Sequence, residues 1–274
     1  MARIESAFES VKAQGRAALV TFIMAGDPNF ENSLRVLKGL PEAGADIIEL
    51  GMPFADPMAD GPTIEAAGHR AMKAGGNMKR TLEMVRAFRK DNTDTPLILM
   101  GYANPLYAYG LEDFAKDASH AGVDGLIIVD LPPEEDHDLQ AAIQGVGQGH
   151  DISIIRLVTP TTDEKRLPKL LEGASGFLYY VSIAGVTGAA KANQEAIAPH
   201  IKWLKSHTDL PVAIGFGIKT PNDAQDMSSF ADGVVVGSAI VEKMAELKGK
   251  DADIEPVLNH VRALSAALKA RKAA

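Results

Sequence analysis

From residue 17 to the carboxyl terminus, short runs of mostly β-branched and aliphatic residues alternate with longer amphipathic stretches, and the alternation repeats eight times. Runs that are apolar at nearly every position mark strands covered on both faces, which occur in parallel sheets of α/β proteins. With a length of 274 residues, close to the roughly 250 residues of that architecture, the expected fold is a (β/α)8 TIM barrel. An open doubly wound sheet is the competing arrangement. Residues 3 to 14, which precede the first run, have amphipathic spacing and predict an extra N-terminal helix that closes the amino-terminal mouth of the barrel.

The strands are expected at residues 17 to 24, 46 to 50, 96 to 100, 124 to 129, 152 to 157, 176 to 181, 211 to 215 and 232 to 236. Leu126-Ile127-Ile128-Val129 shows the pattern at its plainest. Helices are expected near residues 29 to 43, 64 to 90, 110 to 121, 133 to 146, 163 to 172, 193 to 205, 220 to 230 and 238 to 268, the second and last of them broken. The stretches Asp113 to Ala121 and Asn193 to Leu204 carry apolar residues at i, i+3 and i+4, the stripe that a helix lays on a sheet. No linker rich in Pro, Gly or Ser divides the chain, so residues 1 to 274 are expected to form one domain. Residues 173 to 190 are uncharged, but their glycines, serines and threonine interrupt any membrane span, and they read as strand plus loop.

Composition narrows the function classes. A formal net charge of -8, with no basic cluster longer than a helix face, argues against nucleic acid as a partner. The absence of cysteine leaves neither a disulfide framework nor a thiolate zinc site, in keeping with a cytoplasmic protein. The first residues, with Arg3, Glu5, Glu9 and Lys12, lack the apolar centre expected of a secretion signal. Seven histidines, at positions 69, 120, 137, 150, 200, 207 and 260, have no ligand spacing, so no metal is expected. Lys191 and Lys219 belong to loops rather than strands, which weakens any Schiff-base mechanism.

What remains is acid/base chemistry, and residues 49 to 64 supply its candidates. Glu49 ends the apolar run Ile47-Ile48, at the strand end where α/β enzymes keep their reactive groups. Either it is a salt-bridged structural acid, or it is a carboxyl whose pKa is raised by apolar walls and which gives and takes a proton in turn. The stretch after it, with Pro53, Pro57, Gly61 and Pro62, cannot be helix or central strand. In that loop Asp60 is expected to stay ionised and to stabilise a developing positive N-H, while Asp56 is a solvated charge or a partner contact. Tyr179 and Tyr180 point to opposite faces of the sixth strand, one inward and one toward helices.

Three glycine-rich loops follow consecutive strands: Ser182 to Ala190 after the sixth, Gly215-Phe216-Gly217-Ile218-Lys219-Thr220 after the seventh, and Gly237-Ser238 after the eighth. Tight turning alone explains any one of them. Together, at a helix amino end, their amides make a cup for a phosphate. The loop of small residues after the sixth strand suits closure over a substrate.

Four segments carry a resemblance that covers the whole chain: Phe22-Ile23-Met24-Ala25-Gly26-Asp27-Pro28, Glu49 through Pro62, Ala184-Gly185-Val186-Thr187-Gly188, and Gly215-Phe216-Gly217-Ile218. The chain resembles the alpha subunit of tryptophan synthase. The resemblance implies a lyase that cleaves indole-3-glycerol phosphate to indole and glyceraldehyde 3-phosphate. It implies Glu49 and Asp60 as catalytic residues, Tyr179 beside the glutamate, and Thr187 holding the aspartate on closure. It implies phosphate ligands at Gly188, Gly217, Gly237 and Ser238, and Phe22, Leu99, Phe216 and Ile218 near an apolar pocket. It implies no cofactor in this chain, and a pyridoxal-phosphate-dependent beta subunit as partner in an α2β2 assembly, met through Pro53 and Asp56. Ile183 stands where many relatives have arginine, and Phe177 where many have tyrosine. Two other readings stay open on the residues alone: a different phosphate-binding barrel enzyme such as a sugar-phosphate isomerase, and a silent subunit that only activates a pyridoxal enzyme.

Overall fold

The computed structural model describes residues 2–146, 151–181, 190–215 and 217–270. Parallel strands β1 (Ala18–Met24), β2 (Ile47–Gly51), β3 (Leu97–Gly101), β4 (Gly125–Ile128), β5 (Ser153–Ile154), β6 (Arg156–Val158), β7 (Leu178–Val181), β8 (Val212–Gly215) and β9 (Gly233–Val236) form one sheet in the order β5-β4-β3-β2-β1-β9-β8-β7-β6. Its two edges, β5 and β6, are separated by Ile155 alone, so the sheet closes through one continuous stretch of chain. The fifth expected strand is thus present as two halves, one pairing with β4 and the other with β7. The fold is the (β/α)8 barrel that the alternation predicts.

Strand pleating sorts side chains into two cores. Leu19, Ile23, Ile48, Leu50, Leu97, Leu99, Leu126, Tyr180 and Ile214 face the surrounding helices. Ala18, Val20, Ile47, Ile98, Ile127, Ile155, Tyr179, Ala213 and Val235 fill the barrel interior. Helix α1 (Arg3–Ala13) contributes Ile4, Phe8 and Val11 to this inner core, all buried. It seals the amino-terminal mouth, with Phe8 packed 5.5 Å from the ring of Phe177. Phe177, just before β7, therefore belongs to the barrel floor.

Helices α2 (Phe30–Ala43), α3 (Pro62–Lys73), α4 (Met78–Arg89), α5 (Ala103–Tyr109), α6 (Leu111–Ala121), α7 (His137–Gly145), α8 (Leu167–Leu171), α9 (Ala190–Lys205), α10 (Pro221–Met227), α11 (Ser238–Met244) and α12 (Glu255–Lys269) complete the layer. Their ends have local causes. The Asn29 side chain accepts the N–H of Asn32 at 2.9 Å to start α2, and Asn77 does the same from Arg80 at 3.1 Å for α4. Thr220 and Asp223 form a reciprocal capping box at α10. Between α3 and α4 Gly75 takes φ 90°, which breaks the long expected stretch as anticipated. Helix α5 was not expected, because Asn104-Pro105 reads as a breaker; proline in a first turn forgoes only an N–H that has no intrahelical partner. Tyr180 faces outward and its hydroxyl lies 3.3 Å from His200 Nδ1. The family-like segment Gly26-Asp27 is structural: Asp27 is buried and held by Arg70 of α3 through two bonds of 2.8 Å, which ties the end of β1 to α3. Among the described residues no helix is long and apolar enough to cross a membrane.

Candidate active site

A cavity of about 400 Å³ opens at the carboxyl ends of the strands, where a (β/α)8 barrel keeps its chemistry. Glu49 reaches it from β2, Tyr179 and Val181 from β7, Phe22 and Met24 from β1, and Met100 from β3. Gly217 and Ile218 come from the loop after β8, and Gly237 and Ser238 from the turn after β9. Asp60 enters from the loop after β2. Residues from distant parts of the sequence thus meet around one volume, as the reading of the strand ends implied.

Glu49 has no exposed surface, and among the described residues neither of its carboxylate oxygens has a hydrogen-bond partner. Burial without compensation penalises the charged form and pushes its pKa up to about 8. Among the described residues no cation is paired with it, which speaks against the salt-bridged alternative. An unpaired carboxyl in an apolar barrel stays protonated at neutral pH and has a proton to give. Tyr179 stands beside it, its own pKa raised by burial and then by the Glu49 charge. A methyl group built on Gly215 would lie 2.2 Å from the Tyr179 hydroxyl. That glycine is required by the close approach of the tyrosine, not by a turn.

Asp60 departs from expectation. Burial raises its pKa to about 6, against a lowering by a hydrogen bond from Tyr102 and with a further rise from Glu65. The group is still mainly ionised at neutrality, but it titrates much closer to it than an open loop carboxylate. Two polar lining residues were given no site role from the sequence. Tyr102, directly after β3, had no motif to mark it; its position at a strand's carboxyl end was the available signal. Lys219 lines the cavity from the glycine loop and pairs with Glu242 at 3.4 Å.

Leu99 is a correction. It is fully buried in the outer core and faces the helices, whereas its neighbour Met100 lines the cavity. Alternation along a strand leaves no choice: a one-residue shift moves a side chain to the opposite face. Of the two residues expected at a partner contact, Asp56 is exposed, while Pro53 is buried in its own chain and shapes the loop from within. Met58, between them and Asp60, is 85% exposed. Thr187, Gly188 and Phe216, like Ile183, lie outside the described residues. Among the described residues no group of three or more His, Cys, Asp or Glu is placed to hold a metal.

A buried acid on the wall of a cavity at the carboxyl ends of a parallel barrel, with a second carboxylate at its rim, fits an acid/base enzyme of the (β/α)8 class. The comparisons then narrow the class. The family model for the tryptophan synthase alpha chain matches residues 8–270. The crystal structure of the tryptophan synthase alpha chain from Legionella pneumophila subsp. pneumophila is 37% identical over 100% of both chains, with a TM-score of 0.89. That of subunit alpha from Legionella pneumophila str. Paris is 38% identical, covering 98% of this chain and 99% of the other, also at 0.89. Tryptophan synthase from M. tuberculosis in its aminoacrylate-bound form contains a chain 32% identical, covering 98% and 100%, at 0.85. This chain belongs to the tryptophan synthase alpha chain family. It is a lyase of tryptophan biosynthesis, cleaving indole-3-glycerol phosphate to indole and glyceraldehyde 3-phosphate. That reaction replaces the sugar-phosphate isomerase reading.

Proposed function

We propose that Glu49 is the acid and base of the cleavage and that Asp60 stabilises the charge it creates. The observation that carries this reading is the buried Glu49 carboxyl on the wall of the cavity, without a partner among the described residues, whose burial pushes its pKa up to about 8. Glu49 gives its proton to C3 of the indole ring, which leaves a positive ring nitrogen facing Asp60. The carboxylate so formed then takes the proton of the adjacent glycerol C3' hydroxyl. As the aldehyde forms, the bond between that carbon and ring C3 breaks, and its electron pair returns to the ring as neutral indole. One proton enters and one leaves, so Glu49 ends as it began.

Gly217, Gly237 and Ser238, with Gly188, would hold the phosphate through their amides. Gly217 supports this role by its φ of 75° and by the open space a Cβ would enter. Phe22, Ile218 and Met100 offer apolar surface to the ring, with Phe216 expected beside them and Thr187 expected to hold Asp60 on closure. We assign the pyridoxal phosphate of the overall synthesis to a beta subunit, in an α2β2 assembly in the cytoplasm. Asp56 and Met58 on the exposed loop after β2 support a protein contact there.

A positioned acid/base contributes about 10² to 10⁴ in rate. Glu49→Gln should therefore lose most single-turnover cleavage and keep substrate binding. Full single-turnover cleavage by that variant would remove Glu49 from the mechanism. Asp60→Asn should lose kcat as well; a change confined to KM would leave it a binding residue only.

A further inference from the structure

Tyr102 stands at the end of β3, as the residue preceding α5, and its side chain is buried. Its ring packs 5.5 Å from that of Phe54 at an interplanar angle of 35°. Its hydroxyl accepts the N–H of Ala59 at 3.0 Å, and it lies beside the carboxylate of the next residue, Asp60, whose pKa it lowers. An ionised carboxylate can only accept, so the phenol's single proton points to Asp60 while its lone pair takes the amide. One side chain on a strand end therefore touches both ends of the loop between Pro53 and Gly61. Its own place is fixed from the other side: Asp130 Oδ1 accepts the N–H of Ala103, the first residue of α5, at 2.8 Å.

We infer that Tyr102 is a positioning residue for the cleavage, its hydroxyl clamping the Ala59 amide and holding the Asp60 carboxylate at the rim of the cavity. The inference rests on the catalytic reading of Asp60 and adds the group that sets its place and its charge. A donated hydrogen bond favours the ionised carboxylate. It opposes burial and the negative Glu65 of α3. Glu49 and Tyr179 on the strands and Lys219 on the opposite loop share the cavity with it.

Tyr102→Phe keeps the ring and its contact with Phe54 and removes the hydroxyl. The acid limb of kcat/KM against pH should move up by roughly one unit. Turnover at neutral pH should fall about tenfold to a hundredfold through misplacement of the carboxylate, with a smaller change in KM. Carbon-13 NMR of labelled aspartates, with Asp60→Asn assigning the Asp60 signal, reads the same midpoint without catalysis, and that midpoint should rise in Tyr102→Phe. If Tyr102→Phe does not fold, Tyr102→3-fluorotyrosine keeps the shape and strengthens the donor, and the midpoint should fall. A midpoint unmoved by whichever replacement folds overturns the inference. Parental turnover in Asp60→Asn would instead sink the catalytic reading of Asp60, while the NMR midpoint still decides whether Tyr102 holds that group.

Discussion

Glu49 and Asp60 are both carboxyls, separated by ten residues of chain, and their surroundings push their titrations to different sides of neutrality. Burial with no partner takes Glu49 to about 8, and partial burial against a phenol donor leaves Asp60 near 6. The proposed mechanism needs the first protonated and the second ionised. The profile of kcat/KM against pH should therefore be a bell, falling below about 6 and above about 8. Asp60→Asn should remove the acid limb; a profile flat across that range would contradict the assignment. The same burial has a cost in stability. In the unfolded chain Glu49 ionises near its ordinary 4.5, but in the fold it holds its proton to about 8. The native state thus binds more protons between those values, and stability falls as pH rises through that window. Glu49→Gln removes this penalty, worth on the order of a few kcal/mol once the pH exceeds 8. Melting temperatures of the two proteins should agree near pH 4 and separate in favour of the variant toward pH 8, even as activity is lost.

At the scale of the element, each strand delivers its terminal residues to one end of the barrel, and the loops complete what the strands begin. The turn after β8 shows the division of labour. Gly215 admits the Tyr179 hydroxyl, and Gly217 takes a left-handed backbone with empty space where a side chain would go. Gly217→Val would force a β-branched residue to φ 75° and fill that space. The inhibition constant for phosphate-bearing ligands should rise by tenfold or more, and that for indole alone much less, the lost phosphate bonds being charge-assisted. Equal losses for both would point to general disruption. Most elements were legible because their causes are local: alternating apolar runs for strands, side-chain caps for α2, α4 and α10. Helix α5 was hidden by a proline that its first turn tolerates. Helix α8 is shorter than the stretch from 163 to 172, starting only at Leu167 with Pro168 in its first turn. The break at Ile155, where one strand becomes β5 and β6, reflects pairing with two different neighbours and has no local mark.

For the whole molecule, the closed sheet separates stability from chemistry. Helix α1 and Phe177 close the floor, while the opposite rim carries the acids, the glycine turns and an exposed loop from Ala55 to Ala59. Asp60 lies at the end of that loop, so any protein seated on Asp56 and Met58 acts directly on the geometry of the rim. A beta subunit that favours the ordered rim should raise indole release by the purified chain several-fold or more, at constant chain concentration. No change on adding it would argue against a contact at this loop.

The sequence by itself determined the barrel and placed two acids, Glu49 and Asp60, at the strand ends where the cavity lies. These follow from periodicity and from residues that stand together in a short motif, both of which are local properties. Tertiary structure decided that Met100 rather than Leu99 meets the cavity, that Asp60 titrates near 6, and that Tyr102 holds Ala59, 43 residues away. The physical reason is common to all three. Which face a side chain takes, how much water it loses and which donor it meets are set by chain segments that only folding brings together.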